Sequence, residues 1–189
     1  MTMLNIEQLR KETPGCLYVS HFNNAGAALP PSIVINAVKE HLDQEAIKGG
    51  YEAAKSASES INSFYKNAAQ LIQCAPEEIA FTDNATRAWD MAFYSLNLKQ
   101  GDKILTAEAE YVSNYLAFLH KEKTTGIIIE VVKNDEFGQL DLVDLERKID
   151  KSVQLIAITH VHTNGGLINP AKEVGQLYCA RSQIEVLAA

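Results

Sequence analysis

The chain has 189 residues and a mass of 20.8 kDa, and its 47% hydrophobic residues and mean hydropathy of -0.11 supply enough apolar surface for the core of an ordinary domain. A formal charge of -7 and a pI near 5.2 argue against a phosphate-neutralising nucleic-acid surface, and no Lys/Arg block or basic-aromatic interleaving offers one. No apolar run reaches membrane-span length, and the opening "MTMLNIEQLRKETPGC" carries charges where a signal peptide needs an apolar stretch. The expectation is a cytoplasmic protein with neither nucleic acid nor membrane as partner. Three scattered cysteines, Cys16, Cys74 and Cys179, fit a reducing compartment and match no disulfide framework or zinc spacing.

In chain order, "NIEQLRKE" predicts a short amphipathic helix stopped by Thr13-Pro14-Gly15, followed by a small-residue loop, "HFNNAGAALPP". Ser32 to Ile47 places Ile33, Val34, Ala37, Val38, His41 and Leu42 at helical spacing and ends at Gly49-Gly50. A second long helix is expected from Glu52 to Gln73, with Ile61, Phe64, Tyr65, Ala68, Leu71 and Ile72 as its stripe. From Glu77 the texture changes. Short apolar runs, "EIAFT", "KILTA", "GIIIEVV" and "VQLIAITHV", alternate with helical segments. That alternation predicts an α/β fold in which an N-terminal helical segment (1–75) precedes part of a mostly parallel sheet with helices on both faces (76–189).

Within the second part, "FTDNATRAWDMAF" sets small and polar residues between an apolar run and a helix. If Phe81 ends a strand, the backbone N–H groups of Asn84, Ala85 and Thr86, with the Thr86 hydroxyl, lie at a helix N-terminus where an anion such as phosphate binds. The plainer reading is that Asp83 or Asn84 simply caps the helix.

Four segments, "FNNAGAALPP", "EIAFTDNATRAWDMAF", "GDKILTAEAEYVSNYLAF" and "LIAITHVHTNGGLINPAKEVG", stand in the order and spacing of a known family. With them the chain resembles the class V aminotransferase and cysteine desulfurase group of pyridoxal-phosphate (PLP) enzymes, of fold type I. The resemblance implies a PLP cofactor, an amino-acid substrate and a homo-oligomer. It places the cofactor phosphate on Asn84, Ala85 and Thr86 and a ring-stacking role on Tyr111. A hydrogen bond to the ring hydroxyl falls on Thr163 or Asn164. Asn24 falls on the substrate side, with Tyr51 and Glu52 nearby.

The resemblance also implies two groups that the sequence does not match. The family's Schiff-base Lys has no counterpart, because none of the thirteen lysines stands in a matching context. The carboxylate that keeps the pyridine nitrogen protonated would fall on Ala188. The expectation is therefore a truncated chain with no catalytic residue of its own, inactive in PLP catalysis alone. Two other readings stay open: a non-catalytic PLP-binding or oligomerising protein, and a zinc hydrolase using His160 and His162 of "THVHTNGG". In the PLP reading there is no metal, His160 is a packed strand-end residue, and His162 stands where relatives often carry Pro.

Overall fold

The computed structural model describes residues 4–163, 165–179 and 185–188. They fall into two compact units, Met1–Phe81 and Thr82–Ala189.

The first unit is helical. α1 (Ile6–Glu12) starts where the Asn5 side chain accepts from the Gln8 N–H, and it gives way to a short 3-10 turn, Pro14–Leu17. The four-residue α2 (Asn24–Ala27) is capped by Asn23. α3 (Ser32–Lys48) closes at Gly49, whose φ of 92° is open to a residue without Cβ. The single helix expected from Glu52 to Gln73 is two helices, α4 (Gly50–Ser56) and α5 (Ser58–Ile72). The break falls at Ala57, which takes φ -89° and ψ 1°, away from helical geometry. The stripe on α3 is exposed at Ile33, Val34, Val38 and Leu42, and on α5 at Ile61, Phe64, Leu71 and Ile72. Ala53 and Ala69 are this unit's buried apolar residues among those described.

The segment "EIAFT" does not form the expected strand. Pro76–Glu78 is a 3-10 turn, and the chain from Ile79 to Asp83 is irregular. A strand exists only through ladder partners, and among the described residues no strand bonds to this run.

The second unit opens with α6 (Ala85–Ser95) and builds a sheet from β1 (Lys103–Ala107), β2 (Ile128–Val132), β3 (Val153–Ile158) and β4 (Glu185–Ala188). The order is β2-β1-β3-β4 and every pairing is parallel. The crossovers carry α7 (Val112–Thr125), α8 (Leu142–Lys148) and α9 (Ala171–Cys179). Side-chain alternation splits the core into two layers. Leu105, Ala107, Ile156 and Ile158 pack with Leu145 of α8 and Val174 of α9. Ile104, Leu155 and Ala157 pack with Trp89 and Phe93 of α6 and Ala117 and Phe118 of α7. The expected helices on both faces are thus present. The β1–β3 register slips at its start, where Lys103 faces Val153 but Ile104 faces Leu155. The extra residue, Gln154, puts Val153 in the same layer as Ile156.

Beside β2 an ion network holds α8 to the sheet. Lys103 Nζ lies 2.8 Å from Asp150 and 3.0 Å from Glu130, and Lys148 Nζ lies 3.3 Å from Glu130 and 3.5 Å from Asp144. The Lys133 N–H donating to Asp144 at 2.9 Å, helped by Lys148, holds that carboxyl below its ordinary range against the opposing effect of burial. At Glu130 burial works against the charge, but the bonds from Lys103 and Lys148 prevail and lower its pKa. Lys103 is raised, first by its bond to Asp150 and then by Glu130. No described helix is long and apolar enough to cross a membrane.

Candidate functional site

Just past the carboxyl ends of β1 and β3 the chain turns polar, at Glu108 and Glu110 after β1 and at Thr159 after β3, where parallel α/β sheets hold their ligands. A cleft of about 330 Å³ opens there, lined by Glu110, Tyr111, Asn134, Thr159, His162 and Thr163 among others. Tyr111 and Thr163, assigned from sequence to the same ring, therefore share one cavity although they are far apart along the chain. Asn164 lies outside the described residues.

Tyr111 sits at the N-cap of α7, where its side chain cannot cap. The preceding residue supplies the polar anchor. Glu110 Oε1 accepts the Tyr111 N–H at 2.9 Å, the Asn114 amide at 2.9 Å and the Thr159 hydroxyl at 2.6 Å. Its Oε2 accepts from the Thr106 hydroxyl at 3.3 Å. One carboxylate thus ties the end of β1, the first turn of α7 and the end of β3, and it stands at the favourable pole of the helix dipole. The Tyr111 N–H also donates to Thr159 Oγ1 at 3.2 Å. The Tyr111 side chain is half exposed toward the cleft.

A second buried knot lies behind the loop that carries Thr163. Asn169 is 1% exposed. Its Oδ1 accepts the Leu140 N–H at 2.9 Å, its Nδ2 donates to the Thr159 carbonyl at 2.8 Å, and its backbone N–H donates to the His160 carbonyl at 2.8 Å. The same Nδ2 lies 3.0 Å from His162 Nε2. The expectation of a packed His160 is reversed: His160 is exposed and His162 is buried. Residues two apart would share a face in a continuous strand, but the chain bends at His160, so the two rings part and only His162 turns toward the core. Among the described residues no three His, Cys, Asp or Glu side chains come together as a metal would need.

Asn84, Ala85 and Thr86 begin α6. Asn84 Oδ1 accepts the Arg87 N–H at 2.8 Å, so the plainer capping role is real. That bond leaves the Ala85 and Thr86 N–H groups, which have no intrahelical acceptor, at the helix end. These residues do not line the cleft, but they lie at the same end of the unit. Trp89 packs on Phe118 at 5.4 Å, and further along both helices Tyr94 bonds His120 at 3.0 Å, so α6 and α7 run parallel. Counting back at about 1.5 Å per residue, the two N-termini lie within about one helical turn of one another along the axis.

Asn24 and Tyr51 belong to the helical unit. Asn24 lines a separate cleft of about 650 Å³ with Arg10, Cys16 and His21, and Tyr51 is exposed on α4.

Sequence reading alone missed Thr106, Asn114, Thr159 and Asn169 as a group. The signal was there in the hydroxyls ending "KILT" and "IAIT", since a polar residue closing an otherwise apolar buried strand needs a partner.

The chain is similar over almost its whole length to known proteins. A probable cysteine desulfurase of Pyrococcus abyssi is 31% identical over 188 residues, which is 97% of this chain and 47% of that protein. The apo structure of a cysteine desulfurase from Thermococcus onnurineus superposes with a TM-score of 0.80 at 27% identity, over 99% of this chain and 48% of that one. A C-DES mutant with glycine covalently linked to its PLP cofactor superposes at 0.81 and 21% identity, covering 95% and 47%. The chain spans about half the length of the curated relatives it matches. The model of the family "Aminotransferase class-V" matches residues 20–188, and with the parallel sheet, the cleft at its carboxyl ends and these relatives, the chain belongs to the class V aminotransferase family.

Proposed function

We propose that this chain carries the ring-and-phosphate part of a PLP site of the class V type, and that these 189 residues alone do not turn over an amino acid. The observation that carries the reading is the meeting of Tyr111 and Thr163 in one cleft.

The donor set fits the group. An aromatic face half open to the cleft suits a flat pyridinium by offset stacking and by the attraction of positive charge to the ring quadrupole. The Thr163 hydroxyl is available as a ring-side hydrogen-bond partner. The Ala85 and Thr86 N–H groups suit the phosphate at the positive end of α6. When bound, PLP supplies an electron sink for carbanion chemistry at the amino acid. This chain's own residues bind and orient: Tyr111 covers one face, Thr163 sets the in-plane direction, and α6 takes the tail.

Lys and the nitrogen-facing carboxylate are the groups missing from this set. No Lys lines the cleft among the described residues, and β4 runs to Ala188, opposite Ile158, where the family pattern calls for Asp. Two further parts of the reading rest on surface and composition. The exposed apolar stripes of α3 and α5 support self-association, and the charge and cysteine pattern support a cytoplasmic setting. The amino acid named by the relatives is cysteine.

Mixing the chain with PLP, then dialysing with and without prior borohydride reduction, tests this. The expected result is binding that dialysis reverses in both arms. Cofactor retained after reduction at one stoichiometric equivalent on a single Lys, located by peptide mass mapping and distinct from scattered labelling of surface lysines, would reveal a Lys that does form the covalent link, and absence of binding would remove the site.

A further inference from the structure

The Glu110 carboxylate stands in the same cleft as Tyr111 and Thr163. We propose that Glu110 is the positioning residue for Tyr111: it fixes the backbone from which the aromatic face enters the cleft. This rests on the reading of Tyr111 as the stacking face, and its geometry is independent of any ligand.

Three features carry it. The Tyr111 backbone is held from both sides, its N–H by Glu110 Oε1 and Thr159 Oγ1 and its carbonyl by the Tyr115 N–H at 3.1 Å. The Thr159 hydroxyl donates to the same Glu110 oxygen, so the clamp closes as a triangle spanning β3 and α7. Asn114, buried in the first turn of α7, bonds that oxygen as well and stops the carboxylate from turning away. Glu110 itself acts through Tyr111 and needs no contact with the ring of a ligand.

The test places 3-fluorotyrosine at position 111 and reads its fluorine resonance in the unliganded protein. The wild type is expected to give one narrow line. Glu110→Ala is expected to broaden or double it with the circular dichroism of the fold retained, and Glu110→Gln, which keeps an acceptor oxygen, to restore a single line. If Glu110→Ala fails to fold, Thr159→Val removes the bridging hydroxyl with little change of shape, and the same doubling is expected. An unchanged single line in a folded Glu110→Ala or Thr159→Val protein overturns the proposal.

A second arm separates this from the cofactor reading. In a PLP titration, Glu110→Ala is expected to weaken binding by about 2- to 10-fold, the worth of an aromatic stacking contact, and to have no further effect in a Tyr111→Ala background. Equal losses in both backgrounds mean that Glu110 does not act through Tyr111. A wild type that shows the expected line pattern yet binds no PLP upholds the positioning role and defeats the cofactor reading.

Discussion

Asn169 Nδ2 donates to the Thr159 carbonyl at 2.8 Å and, from the same nitrogen, faces His162 Nε2 at 3.0 Å. The amide cannot be turned over, because Oδ1 is fixed by the Leu140 N–H. The His162 Nε2 is therefore the acceptor, and the ring proton sits on Nδ1. Nitrogen-15 spectra of the imidazole are expected to show the Nδ1–H tautomer; an Nε2–H tautomer would refute the arrangement.

Removing that amide strands two backbone groups. Asn169→Ala leaves the buried Leu140 N–H and Thr159 carbonyl without their partner and is expected to cost about 2–4 kcal/mol. Urea unfolding followed through Trp89, the single tryptophan, reads this directly, since that ring is packed in the second unit.

Trp89 stacks on Phe93 at 4.8 Å, and Phe93 meets Phe118 at 5.4 Å. Phe93 is fully buried, and Phe93→Ala is expected to destabilise by about 3–5 kcal/mol through lost transfer energy and a residual cavity. A loss below about 1 kcal/mol in the same measurement would mean that the α6–α7 layer is not a packed core.

Acid unfolding tests the network beside β2. Glu130 and Asp144 are lowered in the folded state, so their contribution is present above the unfolded carboxylate range, roughly pH 4. It is lost as pH falls through the folded values. Lys103 is raised, so its contribution is present below its unfolded value and is lost as pH rises through the folded one. Stability is expected to be level between these limits. Lys148→Met, which removes one partner from both carboxylates, is expected to move the acid transition to higher pH; an unmoved transition would show that the pairs contribute nothing.

The cleft has a polarity of its own. Glu110 lines it, while no Lys or Arg does among the described residues, so it should accept a neutral or cationic ring and not an anion. Pyridoxal without its phosphate is expected to shift the fluorine resonance of a 3-fluorotyrosine at 111, and inorganic phosphate at equal concentration to leave it in place. The opposite ranking would put the tail, not the ring, against Tyr111.

Much of the second unit was legible because short apolar runs rich in β-branched residues and alternating with helical segments fit buried strands of a parallel sheet. "KILTA", the core of "GIIIEVV" and "VQLIAI" became β1, β2 and β3. "EIAFT" has the same look yet forms no ladder, because strand character is a property of two segments and one segment cannot report its partner. The break at Ala57 was hidden for a related reason: Ala is the best helix former, and nothing in "KSASES" stops a helix by propensity. In the candidate site, Tyr111 and Thr163 were singled out through family resemblance, whereas the links from Glu110 to Thr159 and from Asn169 to Leu140 join segments distant in sequence. Periodicity shows which face a residue occupies but not which polar groups meet there.

The most direct measurement is a crystal structure of the chain soaked with PLP. The pyridine ring is expected offset-stacked on Tyr111 within reach of Thr163, with the phosphate on the Ala85 and Thr86 amides. Density for the ring away from Tyr111, or a phosphate seated in the cleft beside Glu110, would contradict it.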